Sequence, residues 1–222
     1  PVISKRIRPV QKTNQGGDGL RFSHSAVDTF KTCPHRYRLR YHERLRTLPP
    51  TDADNALILG TAMHTGIERG TDAGISQYFS SFPIIDDAHI NESIKLEYLI
   101  PKVREILPPG EFELKLETGN FIGYVDLAAH NSDGTVDIYD FKYTKNITNY
   151  DESPQLHVYK HYFEQVYNMV VRNLYYVFIP KIAIRQKQTE DLEQFRQRLR
   201  VELKQSEVQL VPVKFDRDKV LE

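Results

Sequence analysis

The chain has 222 residues, of which 40% are hydrophobic and 27% are charged, and this composition is typical of a globular protein. Its single cysteine, Cys33, excludes a disulfide within these residues and a metal cluster held by four of their cysteines. The net charge is zero, but residues 1–50 carry 11 Lys and Arg against 3 Asp and Glu, whereas residues 51–222 carry 19 against 27.

The basic first quarter of the chain suits a phosphate backbone, although a solvated basic helix is the simpler explanation of the charge alone. No apolar run approaches the roughly 20 residues of a membrane span, so we expect no membrane partner. Because the sequence has one cysteine and a basic start without an apolar leader, we expect a cytoplasmic setting.

The first half of the chain predicts helices. Residues 1–20, which contain NQGGDG, predict a flexible basic arm, and residues 21–108 predict a helical region. Ser23 or Ser25 is expected to cap a first helix that Pro34 interrupts, and a second helix is expected to continue through HRYRLRYHERLR. After a linker, TLPPTDADN, the segment ALILGTAMHTGIERG predicts a helix that ends at Gly70. Further helices are expected over residues 74–81 and 91–107.

Residues 109–222 predict an alternation of strands and helices. EFELKLETG is read as a strand, GYVDLAAHNSDGTVDIYDFKYTK as a hairpin, and SPQLHVYKHYFEQVYN as a helix. LYYVFIP predicts a buried strand, residues 189–206 an amphipathic helix, and VQLVPVKF a closing strand. The order predicts an α/β fold with a mixed central sheet flanked by helices, in one structural domain that the N-terminal helical region caps or flanks.

The hairpin contains an unexpected group of charges. If Ser132–Gly134 form the loop, Asp126 lies opposite Asp140, with Cβ atoms about 5 Å apart. Two carboxylates at that distance repel each other, and a hard divalent cation between them, with Lys142 beside it, removes the repulsion. The alternative is a solvated strand end with an ion pair between lysine and aspartate. A slip of one residue, or a bulge, would also remove the opposition.

Five motifs in the order of the chain resemble those of PD-(D/E)XK nucleases of the RecB-like exonuclease branch. The N-terminal FSHSAVDTFKTCPHRYRLRY is similar to the entry segment of this branch, S-x-S-x-x-x-x-[FY]-x-x-C-P-x-[RK]-[FY]. LGTAMHTGIE resembles its G-x-x-x-H-x-x-x-E helix, GYVD its G-x-x-D strand, DFKYTK its D-x-K strand and QLHVY its Q-x-x-x-Y helix. The resemblance spans residues 22–159 and implies a restriction-endonuclease-like core.

The resemblance also has two departures. In the iron–sulfur members of this branch, the cysteine before the proline is one of four cluster ligands, but Cys33 has no partner cysteine in these residues. We therefore expect no iron–sulfur cluster. The sequence also has no G-x-x-x-x-G-K-[ST] loop, so we expect no nucleotide cofactor and no helicase motor in these residues.

The resemblance implies a metal site for Mg²⁺ or Mn²⁺. Its expected ligands are His64, Asp126, Asp140 and the backbone carbonyl of Phe141. A lone helical histidine is usually structural or solvated, but the motif around His64 favours a ligand. An imidazole added to oxygen ligands tolerates or favours Mn²⁺.

For a second metal, Glu113 or Glu117 is the candidate ligand, and Glu113 fits the strand acid of the branch slightly better. The alternative for both glutamates is a solvated strand face.

The resemblance also implies roles for Lys142, Gln155 and Tyr159. Lys142 would orient or deprotonate the attacking water, or stabilise the charge that develops on the phosphate, and an ion pair with Asp140 would hold it in place. Gln155 and Tyr159 would contact nucleic acid and brace the site. As isolated residues, these two would be surface positions of a helix.

The basic segment near the N-terminus offers a further nucleic-acid contact. Its side chains could bind phosphates and stack on bases, as in proteins that bind single strands. The alternative is that long side chains cover the seam of a helix. The residues concerned are Arg36, Tyr37, Arg38, Arg40 and Tyr41.

The leading hypothesis is a stand-alone, metal-dependent DNA nuclease, an exonuclease that acts on single strands or duplex ends in recombination or repair. A bacterial, viral or mobile-element context fits the small size. The first alternative is a non-catalytic nucleic-acid-binding module of the same fold, against which the retention of Lys142 argues. The second is a subunit that is active only with a helicase or recombination protein.

Overall fold

The computed structural model describes residues 7–9, 22–46 and 52–220. Seven α-helices and five strands follow one another in these residues, with a π-helical turn at Arg38–His42 and 3₁₀ turns at Thr148–Tyr150 and Asp218–Val220. The helices are α1 (His24–Thr32), α2 (Pro34–Tyr37), α3 (Ala56–Arg69), α4 (Thr71–Phe79), α5 (Asp87–Ile106), α6 (Gln155–Tyr167) and α7 (Leu192–Gln205). The strands are β1 (Glu111–Glu117), β2 (Ile122–His130), β3 (Val136–Thr144), β4 (Val171–Pro180) and β5 (Gln209–Val213).

The five strands form one sheet in the order β1-β2-β3-β4-β5. Strands β3 and β4 are parallel and α6 connects them, whereas the other neighbouring strands are antiparallel. A parallel pair needs a crossover connection, and α6 supplies it. This mixed sheet with flanking helices confirms the α/β, restriction-endonuclease-like fold expected from the sequence.

Side chains of alternate strand residues enter two separate cores. On one face, Leu127, Tyr139 and Val177 pack with buried residues of α3, α4, α5 and α7. On the other face, Ile138 and Tyr176 pack with α6 and with the N-terminal Ile7. The two faces are therefore covered, so a charged side chain on either face must find a partner or a cleft.

The β2–β3 hairpin has the predicted loop and register. Gly134 has a φ of 84°, which glycine adopts without a steric penalty, and the Asn131 amide donates to the Thr135 carbonyl at 2.9 Å. Leu127 pairs with Tyr139, in the register that places Asp126 opposite Asp140. The ladder ends there, because the Phe141 amide donates instead to Asp126 Oδ2 at 2.7 Å.

The N-terminal region differs in detail from the expected helices. The helix expected through residues 35–46 ends at His42 as a π-helical turn, and Arg44 then has a φ of 56°, which stops helical propagation. Phe22 lies parallel to the start of β2, since the Ile122 amide donates to its carbonyl at 2.9 Å. Of the expected flexible arm, residues 1–6 and 10–20 lie outside the described residues, as do residues 47–51 of the linker.

Among the described residues, no helix combines the length and apolar character needed to cross a membrane.

Candidate active site

His64 projects from α3 toward the paired strands β1 and β2. The Asn55 side chain caps this helix by accepting from the first free amides, and the helix buries Leu59, Met63 and Ile67 against the sheet. His64 follows this buried stripe and is half-buried, with its Nδ1 3.3 Å from Asp126 Oδ1 and 3.9 Å from Glu113 Oε1. One helix thus contributes both core packing and a candidate ligand.

Glu113 and Asp126 approach each other from neighbouring strands. Pairing of Phe112 with Leu127 and of Leu114 with Val125 leaves Glu113 facing Asp126. Glu113 has a φ of 52°, a left-handed conformation that is unusual for a non-glycine residue inside a strand. His64, Glu113 and Asp126 together place one ligand atom each within 4.8 Å of one another.

The carboxylates of Asp126 and Glu113 affect the protonation of His64. Burial disfavours the charged imidazolium, but the carboxylates of Asp126 and Glu113 outweigh burial and raise the pKa of His64 to about 10. The imidazolium therefore neutralises part of the acidic cluster when no other cation is present.

A second group of polar residues surrounds Asp140, whose side chain is only 2% exposed. Asp140 Oδ2 lies 2.6 Å from Lys142 Nζ, and Oδ1 accepts from Gln155 Nε2 at 3.0 Å. Gln155 Oε1 accepts from Lys142 Nζ at 2.9 Å, and Gln155 Nε2 also donates to the Tyr159 hydroxyl at 3.1 Å. Four of the residues expected from the motifs thus form one connected network.

Burial and charge act in opposite directions in this network. Burial raises the pKa of the Asp140 carboxyl, and the Lys142 ammonium opposes that rise. For Lys142, burial favours the neutral amine, but Asp140 and Asp126 outweigh burial and hold its pKa above the ordinary value. Burial, followed by the charge of Asp140, raises the pKa of Tyr159 to about 12. The lysine is therefore held as an ammonium.

The donor chemistry of this region fits a hard divalent cation. Carboxylate oxygens suit Mg²⁺ and Mn²⁺, and the imidazole of His64 is compatible with Mn²⁺. The buried Oδ2 of Asp140 contacts the Lys142 ammonium but lacks a hydrogen bond of normal geometry within the described residues. From the hairpin alone, we expected a cation between Asp126 and Asp140. In the structure, the three side chains whose ligand atoms lie closest together are those of His64, Glu113 and Asp126, and Asp140 lies outside this group.

Three other residues of the motifs and of the predicted ligand set, Glu117, Glu68 and Phe141, lie outside the compact cluster. Glu117 forms an ion pair with Lys115 at 2.7 Å and is outside the compact cluster. Glu68 lies 3.3 Å from Arg69 and lines, with His64 and Glu113, a groove of ≈ 640 Å³ along α3. The ring of Phe141 contacts the ring of His64, with centroids 5.5 Å apart. The role of the Phe141 carbonyl stays a prediction.

The basic aromatic segment forms a surface of its own. The rings of Tyr37 and Tyr41 stack with centroids 5.2 Å apart, and Arg40 lies 5.5 Å from the Tyr41 ring centre. Arg36 and Arg38 are exposed, and Arg38 pairs with Glu43 at 2.7 Å. Within the described residues, no hydrogen bond or ion pair joins Arg36, Tyr37, Arg40 or Tyr41 to the acidic cluster, so their binding role stays a prediction.

No sequence pattern indicated that aromatic rings lie beside Lys142. Its Nζ lies 5.5 Å from the ring centre of Tyr150 and 5.9 Å from that of Tyr176. The pairing of Lys142 with Phe178 in the parallel β3–β4 ladder places this aromatic residue in the same region. Such a contact depends on which strand neighbours β3, and the strand order is not encoded in a local motif.

The family model of the PD-(D/E)XK nuclease superfamily matches residues 21–87 and 87–214 of this chain. A search among curated proteins finds no match. The matched residues include all five strands and the acidic cluster, and nucleases of this superfamily use divalent metals. The extent of the match and the α/β fold agree, and this chain belongs to the PD-(D/E)XK nuclease superfamily.

Proposed function

We propose that the protein is a DNA exonuclease of the RecB-like branch that hydrolyses phosphodiester bonds with Mg²⁺ or Mn²⁺. The observation that carries this proposal is the position of Lys142 between a buried acid, Asp140, and an amide, Gln155, beside the cluster of His64, Glu113 and Asp126. A structural ion pair alone would not require a second, separate acidic cluster next to it.

The candidate ligands are His64, Asp126 and Glu113, with Asp140 and the Phe141 carbonyl completing the set. A divalent ion held by them would polarise the scissile phosphate and lower the pKa of a bound water. The Lys142 ammonium donates to the phosphate or to the attacking water, and it stabilises the negative charge that develops during in-line attack. Gln155 holds the side chains of Lys142 and Asp140 in position through a hydrogen bond to each.

The substrate proposed is DNA with a single-stranded region or a free duplex end. The exposed arginines and stacked tyrosines of residues 36–41 support contact with such a strand, since these side chains bind phosphates and stack on bases. We propose a cytoplasmic role in recombination or repair, with a helicase or recombination protein as a partner.

The test is a cleavage time course on oligonucleotides labelled at the 5′ or the 3′ end, in single- and double-stranded form. Reactions contain Mn²⁺, Mg²⁺ or EDTA, and Asp140→Asn serves as the inactive control. We expect metal-dependent shortening that disappears in the variant, with the released label giving the polarity. Binding without cleavage under every condition would contradict an autonomous enzyme. Cleavage only on adding a helicase would mark a partner-dependent one.

A further inference from the structure

A cleft of ≈ 560 Å³ lies beside Lys142 on the face of the sheet that α6 covers. Its floor contains Tyr176 and Phe178 of β4, and Tyr150 and Phe215 contribute further aromatic surface. A volume of this size is within the range of small-molecule sites in proteins. None of these four aromatic residues belongs to the proposed catalytic set.

The sheet register fixes where this cleft lies relative to the proposed reaction. In the parallel β3–β4 pair, Tyr176 is the neighbour of Asp140, and Phe178 is the neighbour of Lys142. Neighbouring strands are about 4.8 Å apart, so the cleft begins one strand away from the acid and the lysine. A group attached to the scissile phosphate is therefore within reach of the cleft.

The charges around the cleft do not favour a phosphate inside it. Lys214 and Lys219 line it together with Asp151 and Asp216, so the formal charges of the lining cancel. Lys219 is further occupied, since its Nζ donates to the Asp151 carbonyl at 3.2 Å and to a neighbouring glutamate. The rest of the lining consists mainly of the aromatic rings and of Val211, Pro212 and Val213 of β5. Nucleobases stack on aromatic rings whatever their sequence.

Two buried polar groups belong to residues that line the cleft. The Tyr176 hydroxyl is buried and lies near Ser153, yet within the described residues it lacks a hydrogen bond of normal geometry. His157 is buried, and its Nδ1 accepts from the Asp216 amide at 3.0 Å. Burial, followed by the charge of Lys219, lowers the pKa of His157, so the neutral ring keeps its proton on Nε2 as a donor.

We propose that this cleft binds one unpaired nucleobase of the substrate strand, adjacent to the scissile phosphate. The base stacks on the partly exposed rings of Tyr150 and Phe215, which line the cleft. This inference rests on the proposed function and narrows its substrate. A paired and stacked base must leave the duplex before it enters such a cleft, so single strands and frayed ends are preferred over intact duplex.

Direct binding can be measured without catalysis. The chain contains no tryptophan, so Phe215→Trp places a single fluorescent reporter in the cleft. A single-stranded oligonucleotide in EDTA should quench this fluorescence, whereas an abasic strand of the same length, which keeps the phosphates, should not. Equal quenching by both strands would overturn the proposal, since phosphate contacts alone would then explain the signal.

A kinetic experiment uses Phe215→Ala with Leu210→Ala as the matched control. Phe215 is 37% exposed, and Leu210 is 42% exposed and alternates with Val211, a residue of the cleft. Loss of one stacking contact should raise KM for single-stranded substrate by roughly 5- to 150-fold, and the control should stay within about twofold. Unchanged KM in a folded Phe215→Ala protein would contradict the proposal.

The two experiments distinguish failure of the proposed nuclease function from failure of the proposed base-binding cleft. If no preparation cleaves any substrate, the proposed nuclease function fails, and the tryptophan quenching still decides whether the cleft binds a base. If cleavage is normal, but quenching is equal for normal and abasic strands and KM is unchanged in Phe215→Ala, the cleft inference fails alone.

Discussion

Gln155→Leu tests whether the network around Asp140 serves catalysis or only the fold. The Gln155 amide makes three hydrogen bonds, to Asp140 at 3.0 Å, Lys142 at 2.9 Å and Tyr159 at 3.1 Å. Hydrogen bonds to charged groups contribute about 1.5–3 kcal/mol each, and two of the three are of this kind. Because Lys142 keeps its ion pair with Asp140 and water can enter, we expect the free energy of unfolding to fall by only about 1–3 kcal/mol.

The variant is also expected to lose catalytic rate, by an amount similar in free energy to the loss of stability. Side chains that orient catalytic or metal-binding groups typically change activity by about 10- to 100-fold when they are lost, and we expect a loss of kcat in that range. The assay compares initial cleavage rates with Mn²⁺ and thermal unfolding, for this variant and for Gln165→Leu. Gln165 lies on the same helix, at an exposed position, and its side chain contacts His161 at 2.9 Å.

Unchanged kcat in Gln155→Leu, together with lower stability, would refute the argument that this network positions the catalytic groups. An equal loss of kcat in Gln165→Leu would show that the effect comes from the helix as a whole. Rescue of the rate at saturating Mn²⁺ would instead place the defect in metal binding.

Three further outcomes are expected. Asp126→Asn should weaken Mn²⁺ binding by at least about tenfold in calorimetry, since it removes a charge that faces His64 at 3.3 Å. Lys142→Ala should lower kcat by about 100-fold or more and leave Mn²⁺ affinity within about threefold, and an unchanged rate would remove Lys142 from the mechanism. Gly74→Ala should lower the free energy of unfolding by about 1–3 kcal/mol, because its Cβ would lie 2.7 Å from backbone atoms of α3, whereas Gly60→Ala, which meets nothing within 4 Å, should not.

The parts of the fold that follow local rules could be predicted from the sequence. The β2–β3 hairpin is specified by Gly134 in its loop and by the alternation of its strands, so both the turn and the register follow from pattern alone. Helix α3 is specified by its apolar stripe and by Gly70, which ends it with a φ of 108°. An ion pair of Lys142 with Asp140 was expected from the sequence, and the two side chains lie 2.6 Å apart, whereas the contact of Lys142 with Gln155 was not specified.

Features that depend on neighbouring strands could not be predicted in this way. The aromatic cleft arises because β4 lies parallel to β3, which places Tyr176 beside Asp140. Nothing within either strand states this pairing, since the contact joins residues 36 positions apart. The end of the helical segment at His42 was also missed, because the continuous basic and aromatic pattern of residues 35–46 favours a regular helix beyond this point.

Glu113 shows why the exact set of ligands was harder to predict from the sequence than the presence of a metal site. A strand residue is expected to have a negative φ, and holding Glu113 at 52° costs the fold on the order of 1–3 kcal/mol. Glu113 also lies opposite Asp126 in the neighbouring strand. The strained backbone and the repulsion between two carboxylates therefore occur at the same residue. A fold that served only stability would gain from a glycine or a neutral side chain here. The presence of an acid at this strained position, 3.9 Å from His64, supports the proposal that Glu113 is a ligand of a cation.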